Sequence, residues 1–249
     1  MRLENMTWEE AREAASGGIP VLLPSGAITQ YGPHLPLGAN SIIAHELALR
    51  VAEEVEVVVA PPHWYGYAYP TEDLPGNITV PPDVLCDYIH QILHSLARQE
   101  FRKFLLFYGQ LPNITSLNYA AQRLYLEYQD SQIAVVAWWQ LAKQALRKHF
   151  GDEPGYHAES SETSLLLALR PELVREDKIA DEMPAVSLGY DYYPRPSATL
   201  TPSGVRGKPS LSSREKGAAL TEEIVANLAD MLEHDLIFES AWELMGQNE

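Results

Sequence analysis

The chain has 249 residues, 18 Lys+Arg against 34 Asp+Glu, and a net charge of −16. With 46% hydrophobic and 21% charged residues it is too apolar for a disordered chain, and it is long enough to bury the core of one large α/β domain. The acidity works against tracking nucleic-acid phosphates and against docking on anionic membranes, which leaves a small-molecule ligand as the expected partner.

Thr7-Trp8-Glu9-Glu10 has the capping-box pattern and predicts a short helix to about Ala15. Ile19 to Leu23 is an apolar run stopped by Pro24 and Gly26, the mark of a buried strand. Asn40 or Ser41 can cap a helix carrying Ile42, Ile43, Leu47 and Val51 at helical spacing. Val55 to Ala60 is β-branched and ends at Pro61-Pro62, which predicts a second strand. Asp83 is placed to cap a long helix with Val84, Leu85, Ile89, Ile92, Leu93 and Leu96 inward. A third strand is expected over Phe104–Tyr108, a helix from Ser116 to about Tyr128, and a fourth strand over Ile133–Trp138. Residues 183–212 are rich in Pro, Ser, Gly and Tyr and read as an ordered excursion, and Ser213 to Leu236 closes the chain as a helix.

Strand–helix alternation with continuous apolar strands predicts a mostly parallel central sheet covered on both faces, a three-layer α/β/α single domain spanning residues 1–249. The lone Cys86 admits no intrachain disulfide, and Met1 to Thr7 carries no apolar segment of the signal type, so a cytoplasmic protein is expected. No apolar run approaches the roughly 18 residues of a membrane span.

Ligands of such sheets sit beyond the carboxyl ends of the strands. The loop after the first strand, Pro24 to Asn40, packs three Gly and three Pro within 15 residues and is suited to holding side chains rigidly. Its Ser25-Gly26…Gly32-Pro33-His34-Leu35-Pro36-Leu37-Gly38 resembles the creatininase signature G-S-x-E-Q-H-G-P-H-L-P-L-G-T-D. Further matches follow in order. Leu74-Pro75-Gly76-Asn77-Ile78-Thr79 is similar to F-P-G-T-I-S, and Phe101-Arg102-Lys103 with Tyr108-Gly109-Gln110-Leu111-Pro112-Asn113 to G-F-R-K…N-G-H-G-G-N. Trp138-Trp139 matches an aromatic pair, Tyr156-His157-Ala158 through Glu162-Thr163-Ser164-Leu165 resembles H-A-G-x-x-E-T-S-L, and Ser203 to Pro209 resembles S-x-x-G-V-x-G-D-P.

The resemblance implies a hydrolase opening amide bonds of small, often cyclic substrates at a two-metal centre, and an oligomer, commonly a hexamer. Position by position, however, the family's metal ligands fall on Thr29, Tyr31, Asn40 and Gln110, with Pro112 where some members carry a further Glu; Glu162 alone keeps its identity. Neutral amides and hydroxyls are weak ligands, and one carboxylate cannot hold two divalent ions. The expectation is therefore a rebuilt site without metal or other cofactor. In it Glu162 and His157 handle protons, while Thr29, Tyr31, Asn40, Gln110 and His34 orient a polar or cyclic amide-like molecule between the faces of Tyr65, Trp138 and Trp139. Glu72-Asp73 stands where members often carry Glu-His.

Two alternatives stay open. One is a catalytically silent subunit or ligand-binding protein, assembling with itself or with an active paralogue. The other is a metal-dependent amidohydrolase with ligands relocated to Glu162, His157, Glu159 or His34. Separately, His90 and His94 stand one helical turn apart, a conceivable metal pair that reads more readily as a solvated helix edge.

Overall fold

The computed structural model describes residues 1–69, 74–151, 155–186 and 201–235; Glu72, Asp73 and part of the 183–212 excursion lie outside them. Four parallel strands, β1 (Val21–Ser25), β2 (Val58–Val59), β3 (Lys103–Tyr108) and β4 (Gln132–Ala137), form one sheet in the order β2-β1-β3-β4. α1 (Trp8–Ser16) precedes β1, and between the strands run α2 (Ala39–Glu54), α3 (Pro82–Ala97) and α4 (Ile114–Glu127). After β4 come the short α5 (Trp138–Leu141), α6 (Lys143–Phe150), α7 (Ser160–Leu169) and α8 (Arg214–Asp230).

Alternation along the strands divides the core in two. Leu22, Val59, Leu105, Phe107 and Val136 pack with α2, α7 and α8, while Val21, Leu23, Val58, Phe104, Leu106 and Tyr108 pack with α1, α3 and α4. These two apolar faces account for the unbroken hydrophobic strands and establish the three-layer parallel α/β fold.

Local signals hold where their partners are local. Thr7 and Glu10 form the capping box reciprocally at the start of α1. Five expectations need correction. Asn40 and Ser41 do not cap α2, whose N-cap is Gly38; both lie buried inside its first turn, their side chains engaged by the β1 loop. Asp83 lies in the first turn of α3, whose N-cap is Pro81, and Val84 points outward at 52% exposure while Leu85, Ile89 and Leu93 are buried. The second strand pairs only over Val58–Val59, and Trp138 opens α5 instead of closing β4.

Close approach explains two glycines at the carboxyl edge. A Cβ on Gly109 would lie 2.5 Å from the Asn40 carbonyl oxygen, and one on Gly26 would meet the Ser41 backbone at 2.5 Å. Both glycines let the ends of β1 and β3 press against the start of α2. Beneath them, Asn113 donates to the Gly26 carbonyl and to Ser25 Oγ, and His63 also contacts Ser25 Oγ, fixing the floor of the loop.

Candidate active site

At the carboxyl ends of β1, β3 and β4 a cavity of about 630 Å³ opens, lined by Thr29, Tyr31, Gln110, Trp138, Trp139, His157 and Glu162 among others. Seven of the ten residues singled out from sequence thus share one wall. The two indoles meet edge to face at 5.5 Å, and Trp139 meets Tyr108 likewise at 5.4 Å, so the aromatic wall is braced from the sheet.

Glu162 lies in the first turn of α7, its carboxyl buried. The Tyr31 hydroxyl donates to Oε1 at 3.0 Å and the Ala158 backbone N–H to Oε2 at 2.7 Å. Burial, reinforced by the neighbouring Glu159, pushes the Glu162 carboxyl up to about 8, so it holds a proton at neutral pH. Glu159 is also raised by burial, yet it caps α7 and receives Ser161 N–H at 2.7 Å, Glu162 N–H at 3.1 Å, Ser160 Oγ at 3.0 Å and the Ser161 hydroxyl. Four donors and the positive end of a helix favour the anion, so of the two acids Glu159 is the charged one and Glu162 the protonated one. Tyr31 is held well above the usual phenol range by burial and by Glu162, and stays a donor.

His157 packs its ring against Tyr31, centroids 4.3 Å apart, and its Nε2 donates to the Gln30 carbonyl at 2.6 Å. Burial pushes it down to about 4, so the imidazole is neutral. No hydrogen bond joins it to Glu162; the two flank Tyr31 from different sides.

Asn40 lies beneath the cavity. Its Oδ1 accepts from Ala27 N–H at 2.9 Å, its Nδ2 donates to Gln110 Oε1, and Gln110 Nε2 passes the chain on to the Tyr67 carbonyl at 2.9 Å. Each amide end is satisfied, as burial demands.

Besides Asn40, two further candidates fall outside the cavity wall. His34 is fully buried under α7, its ring against Thr163 Oγ1 at 2.9 Å and its pKa pushed down to about 4 by burial. Tyr65 is 55% exposed on the surface. Sequence reasoning missed Tyr156 and Arg206, which line the cavity with the guanidinium 5.5 Å from the ring, and the capping role of Glu159. The last had a signal in Glu159-Ser160-Ser161-Glu162, an acidic residue opening a helix; the first two come together only in the fold.

The donor set at this cavity does not fit a dinuclear metal centre. Thr29, Tyr31, Asn40 and Gln110 offer only amides and hydroxyls; Asn40 is bonded to Gln110, Gln110 to Tyr67 and Tyr31 to Glu162. Among the described residues, three His, Cys, Asp or Glu ligand atoms come within 4.8 Å of one another only at His90, His94 and Glu127, on another part of the molecule.

Residues 4–232 match the family model Creatininase, described as creatinine amidohydrolase. A creatinine amidohydrolase of Pseudomonas putida is 29% identical over 247 residues, covering 92% of this chain and 95% of that protein. A 3-dehydro-scyllo-inosose hydrolase of Thermotoga maritima is 27% identical over 92% of this chain and 80% of its own length. The solved structure of a manganese creatininase superposes with a TM-score of 0.87 at 26% identity, over 94% of this chain and 98% of that one.

Proposed function

The chain belongs to the creatininase family, and from that premise we propose that it is a hydrolase-like member whose cavity binds and transforms a small polar or cyclic amide without a metal ion, with Glu162 as the proton donor. Its curated relatives are hydrolases, which supports the amidohydrolase-like class. The observation that carries the finer reading is the enclosed carboxyl of Glu162, held by Tyr31 and Ala158 beside the buried Glu159, a setting that favours its neutral form where a metal-dependent member would need an ionised ligand.

A carboxyl poised near 8 is matched to proton transfer at neutral pH. Glu162 gives its proton to the amide nitrogen as the C–N bond breaks and takes one back from the attacking water, whose oxygen bonds the carbonyl carbon. The Tyr31 and Ala158 donors stabilise the carboxylate between the two transfers. His157, with Nε2 committed to Gln30, offers Nδ1 as an acceptor and orients the ligand. Thr29 and Gln110 supply polar edges, and Trp138 and Trp139 supply flat faces.

The test is turnover of a panel of cyclic amides by EDTA-treated protein and by Glu162→Gln. Activity that survives the chelator and disappears in the variant supports the reading. Activity that disappears with the chelator, or persists in the variant, overturns it.

A second reading, a silent ligand-binding subunit in a homo-oligomer or beside an active paralogue, is favoured by one observation. The Ala27–Asn40–Gln110–Tyr67 chain engages both ends of each side-chain amide within the protein, as expected of a site remade for rigidity. Ligand binding without turnover of any panel member would support it.

A further inference from the structure

His90 and His94 lie on the last turns of α3, and Glu127 is the final residue of α4. His90 was expected at a solvated helix edge, but it is buried at 3% exposure. Its Nε2 lies 3.0 Å from Glu127 Oε1, and His94 Nδ1 lies 2.8 Å from Glu127 Oε2. The second contact is a hydrogen bond; the first lacks hydrogen-bond alignment, and neither ring nitrogen of His90 has a hydrogen-bond partner. The carboxylate touches the ring without a well-aligned hydrogen bond, and an imidazole this buried with neither nitrogen properly satisfied is costly unless a further partner engages it. From this we infer that His90, His94 and Glu127 bind one divalent transition-metal ion, Zn²⁺ foremost, which clamps α3 to α4.

The donor types are those such ions take: two imidazoles and one carboxylate, the composition of three-ligand zinc sites whose fourth position is left to water. Zn–N and Zn–O bonds of about 2.0–2.2 Å place tetrahedral ligand atoms about 3.4 Å apart. The observed separations of 3.0 and 2.8 Å therefore ask only that Glu127 swing back slightly, and its side chain, 41% exposed at a helix end, has room to do so. The imidazoles come from adjacent turns of one rigid helix, so little ordering entropy is lost on binding. Nearby cations do not compete for the carboxylate: Arg123 pairs with Asp87, and Arg102 with Asp130 at 2.7 Å.

The site is remote from the cavity. α3 leads into β3 and α4 into β4, so the last turns of both helices sit at the amino edge of the sheet, opposite the carboxyl edge where Glu162 stands. The ion would be structural, a clasp between two helices, and the inference holds whether or not the cavity is metal-free.

The experiment is a zinc titration of the full chain, stripped with EDTA and desalted, followed by calorimetry and by thermal unfolding. The expected result is about one Zn²⁺ per chain and a rise in Tm of roughly 5 °C once zinc stands a hundredfold above its Kd. Affinity should fall at least tenfold, and the Tm rise vanish, in both His94→Ala and Glu127→Gln, whose side chains are partly exposed. Where His94→Ala lowers the metal-free Tm, Glu127→Gln decides. Glu162→Gln should bind zinc as the parent does. No uptake, uptake unchanged in both clasp variants, or uptake lost in Glu162→Gln would overturn the inference.

Discussion

The Tyr31 hydroxyl donates to Glu162 Oε1 at 3.0 Å, joining the loop after β1 to the first turn of α7. The phenol holds down the pKa of its partner, while burial and Glu159 raise it. Turnover that needs protonated Glu162 falls as pH rises through about 8. In Tyr31→Phe that restraint is gone, so the alkaline limb of kcat/KM should move to higher pH. A limb that stays in place would show that another group titrates there.

Glu162→Gln keeps the size of the side chain and its acceptor oxygen but cannot cycle a proton. The expected loss in kcat is about 10²–10⁴-fold, with binding of a substrate analogue within a few fold of the parent. Equal losses in binding and in kcat would assign Glu162 to ligand positioning instead.

Stability should peak in a narrow band of pH. His34, His63 and His157 have folded pKa values pushed to about 4 from 6.5, so their contribution is present above 6.5 and lost as pH falls through that interval. Glu162 is raised from 4.5 to about 8, so its contribution is present below 4.5 and lost as pH rises to about 8. His45 is likewise lowered and Glu159 likewise raised, so four histidines act on the acid side against two glutamates. Tm measured across pH 4–9 should therefore climb steeply to about 6.5 and decline gently to about 8. A flat profile would contradict the burial of these side chains.

Asn40→Asp replaces the Nδ2 donor with a second acceptor facing Gln110 Oε1, while Gln110 Nε2 remains tied to Tyr67. Two buried oxygens left face to face should cost about 1–3 kcal/mol in chemical denaturation. A loss well below that would mean that the amide of Gln110 turns over and breaks its bond to Tyr67.

What could be read from the chain follows the range of the interactions involved. The capping box at Thr7 and Glu10 spans three residues and is written in adjacent letters. The apolar strands were legible because both faces of the sheet are covered. The extent of β2 was not, since pairing is decided by what β1 offers across Val58 and Val59. Asn40 looks like a cap because its type favours caps, but its side chain is claimed by Ala27 and by Gln110, 70 residues away. His90 read as solvated because Glu127 lies on another helix, 37 positions along. At the cavity the resemblance pointed to Tyr31, Gln110 and Glu162; the proton on Glu162 follows from burial and from Glu159, neither of which the motif displays.

The cap on α7 bears on which ligands are admitted. The free amides at the start of a helix would ordinarily welcome an anionic guest. Here they already hold the side chain of Glu159, and its negative charge lines the same cavity. An acidic ligand would meet repulsion there and would have to turn towards Arg206 on the opposite count of charge. A guest of this cavity therefore meets an already occupied helix end and a guanidinium, Glu159 and Arg206, in place of a bare set of backbone amides.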